Sequence, residues 1–240
     1  MKETARSRSE IRKRRRQREL ARNLLICCGI LCIFLIVIIA ITNHAKSRET
    51  AKEAEKQKEI VNRKYIENAP DYSVQLLPIN EYSRPGKALE QVNGVVIHYT
   101  GNPGTTAQQN HDYFEGLAET GETSASSHFI VGMDGEIIQC VPCQEIAYAS
   151  NDRNADTISI EVCIADDTGI FSENAKKSLI HLTTWLMGRY DLEIDDVIRH
   201  YDVTGKQCPK YYVEHPLAWD ALKDEMVNYI DKNGVLSSAQ

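Results

Sequence analysis

The segments Val95-Val96-Ile97-His98-Tyr99-Thr100 and Arg199-His200-Tyr201-Asp202-Val203-Thr204-Gly205-Lys206-Gln207-Cys208-Pro209 bring two histidines and a cysteine into a layout suited to a catalytic zinc. Zinc accepts imidazole nitrogen and thiolate sulfur, and three protein ligands leave a fourth position for a reactive water. An open position of that kind points to catalysis rather than to a structural strut. Residue by residue, plainer roles stay open. His98 taken alone would serve as a satisfied core histidine, and Cys208 as a buried thiol or as a nucleophile paired with histidine. Lys206 would serve as a solvated charge, and Asp202 would orient a ligand histidine or cap its loop.

The elements that carry these residues follow from periodicity. Residues 92–100 read as a buried strand in which Val96, His98 and Thr100 share one side and Val95, Ile97 and Tyr99 the other. Residues 157–164 read the same way, with Ile158, Ile160, Val162 and Ile164 opposite Ser159, Glu161 and Cys163. A carboxylate at Glu161 is costly to bury unless something pairs with it, and a nearby metal-bound water would do so. Residues 128–141 predict a hairpin turning at Asp134-Gly135. Helices are expected over 106–117, over 173–190 behind the capping residue Ser172, and from Pro216 to just before Gly234. This mixture predicts an α/β domain with a single mixed sheet flanked by helices and a zinc site in a cleft.

Four elements in order, HYTG at His98, SSHFIVGMDGEI from Ser126, TISIEV around Glu161 and RHYDVTGKQCP from Arg199, resemble the N-acetylmuramoyl-L-alanine amidase type 2 family. That family includes phage lysozyme-like amidases and animal peptidoglycan recognition proteins. The similarity runs from about Leu77 to the C-terminal helix. It implies one zinc per chain held by His98, His200 and Cys208, with Glu161 as general base and Lys206 steadying negative charge. Some relatives use a tyrosine just before the histidine of the HF element; Ser127 stands there, which leaves Glu161 as the candidate for proton transfer. Others use Asp as the third ligand, so this chain sits with the cysteine subtype.

The implied reaction is hydrolysis of the amide joining the lactyl group of N-acetylmuramic acid to L-alanine, in peptidoglycan or muropeptides. The alternative is a non-catalytic peptidoglycan-binding module of the same fold, which would need neither the Cys208 thiolate nor the Glu161 base. Tyr99 and Asn151 are expected substrate contacts, and His128 is expected near the cleft in a structural or catalytic role.

Outside the resemblance, residues 24–41 form an unbroken apolar run without a charge, close to the ~20 residues that cross a bilayer as a helix. Residues 1–23 carry ten Lys or Arg against three Asp or Glu, a basic arm whose place before the run predicts a cytoplasmic N-terminus. The expectation is a single-pass cell-membrane protein with its domain outside. Residues 42–76, rich in Lys, Glu and Ala, read as a helical stalk, and residues 77–240 as the amidase domain. From Asp71 onward 11 Lys or Arg face 26 Asp or Glu, a net of −15 that disfavours nucleic acid as a partner. Composition leaves the oligomeric state undefined. Cys27, Cys28 and Cys32 fall in the apolar run, whereas Cys140 and Cys143 read as packing thiols or a local disulfide.

Overall fold

The computed structural model describes Ile38, residues 41–50, Lys52 and residues 63–236, and the chain divides into a unit ending at Val61 and a unit from Asn62 to Gln240. In the first unit, residues 41–50 are helical and exposed. The basic arm and the apolar run 24–41 lie outside the described residues, apart from Ile38 and Ile41. Among the described residues no helix is long and apolar enough to cross a membrane.

The second unit begins ahead of the expected boundary at Leu77. Strand β1 (Lys64–Tyr65) pairs antiparallel with β8 (Val235–Leu236), and β2 (Ser73–Val74) joins an edge of the main sheet. Residues 63–76 therefore belong to the folded unit and not to a stalk. Their anchors are isolated: Ile66 is buried, and Tyr72 meets Phe129 edge-on with ring centres 5.7 Å apart. Single apolar residues among charges leave no periodicity to read.

The main sheet contains β2, β3 (Val95–Tyr99), β4 (Phe129–Val131), β5 (Ile137–Gln139), β6 (Ile158–Val162) and β7 (Val197–Arg199), in the order β2-β5-β4-β6-β3-β7. Only β4 and β5 are antiparallel, forming the hairpin expected at Asp134-Gly135; the other neighbours are parallel. Helix α1 (Ala107–Thr120) starts on a capping box between Thr106 and Gln109 and stops at left-handed Gly121. Helix α2 (Glu173–Tyr190) starts at Ser172, whose side chain accepts from the Ala175 N–H. After β7 come the short helices α3 (His200–Thr204) and α4 (Lys210–Glu214), then α5 (Pro216–Asn233) with proline in its first turn.

Alternation along the strands sorts the core onto two faces. Val95, Ile97, Ile158, Ile160 and Val162 pack with Leu179, Leu182 and Leu186 of α2 and with Trp219, Leu222 and Met226 of α5. On the other face Ile130, Ile138 and Cys163 pack with Phe114 and Leu117 of α1. Each such side chain contributes about 1.5–3 kcal/mol on burial. Cys140 and Cys143 are free thiols divided between the two clusters, so they act as packing residues.

Gly94 controls how closely β7 approaches β3. A Cβ there would stand 2.8 Å from the Asp196 carbonyl oxygen, immediately before β7. Gly94→Ala is expected to destabilise the domain by about 1–3 kcal/mol, read as a lower midpoint of chemical denaturation. An unchanged midpoint would mean that the segment before β7 yields freely.

Candidate active site

Parallel register assembles the site at the carboxyl ends of three strands. His98 on β3 lies directly opposite Glu161 on β6, and Ile97 lies opposite Arg199 on β7. The chain leaves β7 straight into α3, so His200 emerges beside His98. Gly205 then adopts φ 78°, and the Tyr201 N–H donates to the Cys208 carbonyl at 2.9 Å, returning Cys208 to the same spot. Arg199 anchors the turn: it pairs with Asp202 at 2.7 Å and donates to the Tyr212 carbonyl. Asp202 also accepts from the Arg199 backbone N–H, so it caps α3 rather than orienting a ligand histidine.

His98 Nδ1 lies 3.1 Å from His200 Nδ1 and 3.8 Å from Cys208 Sγ. The donor atoms of all three residues fall within 4.8 Å of one another, and all three are buried. Tetrahedral zinc with ordinary Zn–N and Zn–S bonds needs N···N and N···S edges of about 3.3–3.6 Å, so this donor set fits the ion. The far ring nitrogens have partners as well: His98 Nε2 meets Ser150 Oγ at 3.1 Å, and His200 Nε2 meets Asn151 Oδ1 at 2.9 Å.

Burial sets the protonation of the group. It lowers the pKa of His98 and of His200, helped by the Lys206 charge, so both imidazoles are neutral. Burial, then Glu161, pushes the Cys208 thiol up to about 12 in the metal-free chain. Burial likewise raises Glu161 to about 8, against the pull of Lys206. Glu161 Oε1 stands 3.9 Å from His98 Nδ1 with 17% of the side chain accessible, while Oε2 is buried and has no hydrogen-bond partner. An orphaned carboxyl oxygen beside two imidazoles and a thiol suits a site that receives a cation and a water.

The site opens into a cleft of about 560 Å³ lined by Tyr99, Tyr113, Ser126 and Tyr148 among others, with Lys206 on its wall. Tyr99, the expected substrate contact, lines this cleft. Asn151 also borders the cleft, but its side-chain oxygen is bonded to His200. His128 takes no part: it is buried between Ser159 and the Glu145 carbonyl, and burial lowers it to about 4. Ser127 is buried with its hydroxyl donating to the Phe129 carbonyl. The residues that sequence reasoning missed are Ser150, whose partner His98 is 52 positions away, and Asn154 and Arg199, whose nearby partners give no signal of a site until the fold places their loops beside the histidines.

The raised Glu161 has a measurable consequence. Its folded pKa of about 8 exceeds its ordinary 4.5, so its favourable contribution is complete below the unfolded value and is lost as pH rises through the folded one. Metal-free Glu161→Gln, which cannot ionise, is therefore expected to gain on the parent between pH 5 and 9. The gain is roughly 1–3 kcal/mol, discounted for the solvated part of the carboxylate. Denaturation midpoints of chelator-treated protein measure it, and parallel pH curves for the two chains would contradict it.

Fold and site together define an α/β protein with a three-donor metal-type centre and a buried carboxylate at the ends of parallel strands. Residues 88–211, just over half of the chain, match the family described as N-acetylmuramoyl-L-alanine amidase, and the chain belongs to that family. It is 36% identical over 148 residues to the amidase CwlL of Bacillus licheniformis, covering 56% of this chain and 41% of that one. It is 31% identical over 160 residues to the amidase BlyA of Bacillus subtilis, covering 58% and 42%. The chain thus spans less than half the length of these curated relatives. Among solved structures, the catalytic domain of XlyA superposes with a TM-score of 0.55 at 27% identity, over 65% of this chain and 99% of that one. A mutant endolysin from Bacillus subtilis gives 0.56 at 27% identity, over 65% and 98%.

Proposed function

We propose that the chain hydrolyses the amide between N-acetylmuramic acid and L-alanine in peptidoglycan, with one zinc held by His98, His200 and Cys208. The observation that carries this reading is the unpartnered Glu161 carboxylate oxygen, buried beside the three donors at the floor of an open cleft. Zinc bound by such donors supplies a Lewis acid and lowers the pKa of a water. Glu161, raised to about 8 by burial in the metal-free chain, would be held ionised by a cation at the adjacent donors, and it then accepts the proton of the attacking water and returns it to the departing amine nitrogen. Lys206, whose charge is felt by Glu161 and Cys208, opposes the negative charge that develops on the carbonyl oxygen. Tyr99 lines the approach and contacts the substrate.

The thiol chemistry separates this reading from a cysteine nucleophile. A nucleophilic cysteine needs a depressed pKa, whereas Cys208 is pushed up to about 12 and becomes a thiolate only when a cation claims it. A binding module of the same fold has no use for a buried carboxyl oxygen left without a hydrogen-bond partner beside the metal-type donors. Mass spectrometry after digestion of purified peptidoglycan by the zinc-loaded chain tests the proposal. Free stem peptides beginning with L-alanine, together with sugar strands bearing free lactyl carboxyls, are expected. Tight binding without those products would leave only the binding module.

The apolar run 24–41 behind its basic arm supports a membrane anchor that holds the domain outside the cell. Protease added to wall-stripped cells is then expected to remove the domain and spare the arm; a fully protected domain would contradict that topology.

A further inference from the structure

We infer that Ser150 and Asn151, two adjacent residues of one loop, are the positioning residues of the metal site, holding both ligand imidazoles with their Nδ1 lone pairs turned inward. This inference deepens the zinc reading above and rests on it. Ser150 is buried with its hydroxyl 3.1 Å from His98 Nε2. Asn151 places its amide oxygen 2.9 Å from His200 Nε2. An amide oxygen accepts only, so the ring proton of His200 sits on Nε2 and Nδ1 is left bare. The Ser150 hydroxyl both donates and accepts, so it holds His98 Nε2 in either tautomer and can accept from it when a cation takes up both Nδ1 atoms, which stand 3.1 Å apart beside Cys208.

The loop is built to keep these contacts. Asn154 Oδ1 accepts from the backbone N–H of both Ala149 (3.0 Å) and Ser150 (2.6 Å), and the Arg153 N–H donates to the Ser150 carbonyl. Thr157 ties the far end by donating to the Arg153 carbonyl. Asn151 itself adopts φ 52°, the left-handed region where glycine is easiest and asparagine is tolerated. Glycine would meet the backbone requirement but leave His200 Nε2 without an acceptor. The side chain at this position therefore serves the imidazole and not the turn. Asp202, the residue that sequence alone suggested for orienting a ligand histidine, is engaged with Arg199.

Asn151→Gly separates the two roles, because it keeps the left-handed backbone and removes only the acceptor; Asn151→Asp keeps an acceptor and tolerates the same backbone. Two readouts apply to the full chain: imidazole 15N–1H spectra of the metal-free protein, and zinc affinity by competition with a chromogenic chelator. In Asn151→Gly, His200 is expected to lose its single Nε2–H tautomer and zinc affinity to fall ~10–100-fold, while Asn151→Asp retains both. Ser150→Ala is expected to lower zinc affinity over the same range through the freed His98 ring. An Asn151→Gly chain with an unchanged tautomer and unchanged affinity would overturn the inference, as would equal losses in Asn151→Gly and Asn151→Asp. A parent chain that takes up no zinc would defeat the proposed function instead, and the tautomer spectra would still decide the positioning role.

Discussion

Glu161→Gln is expected to fold, to bind zinc like the parent and to turn over peptidoglycan roughly 10²–10⁴-fold more slowly. The substitution keeps the shape of the side chain and removes its ability to take a proton. Because Oε2 has no hydrogen-bond partner in the fold, no protein contact of that oxygen is lost with it. The loss should fall on kcat, with KM little changed, since proton transfer is needed only in the transition state. A folded, zinc-loaded Glu161→Gln chain that works at near-normal rate would defeat the mechanism and leave Lys206 as the next residue to test. His128 would not be a candidate, since both of its nitrogens are engaged inside the core.

Cys208→Ala is expected to lose metal and activity together, with zinc affinity falling by more than the ~10–100-fold typical when only a ligand's partner is removed. Two neutral imidazoles remain, without the thiolate that gives the site its one negative ligand. Binding to the parent should strengthen as pH rises, because the thiol, at about 12 in the metal-free chain, must release its proton to the solvent when the ion enters. Metal content by elemental analysis, and affinity measured at two pH values, check both statements. A Cys208→Ala chain that stays active while free of metal would remove zinc from the account, and a flat pH dependence would remove the thiolate.

Local pattern made much of this chain legible. Alternation in the strands around His98 and Glu161 identified which side chains face the core and which face the site, because a strand's side-chain period is fixed by its backbone. Caps at Thr106 and Ser172 and proline at 216 located three helices for the same kind of reason. The four ordered motifs, carried by residues of distinctive chemistry, indicated the family. Tertiary structure decided what spacing along the chain cannot encode. His98 and His200 are 102 positions apart and meet only because β7, three residues long, pairs in parallel with β3. So short a strand has no periodicity of its own, and parallel register is set by packing across the whole sheet. Likewise Asn151 reads as an ordinary loop residue until the fold lays it against His200, and Ile66 and Tyr72 read as stray apolar residues until the domain closes over them. The sequence determined which groups are available for chemistry; only the fold decided which atoms face one another, because hydrogen bonding and metal ligation depend on distance through space.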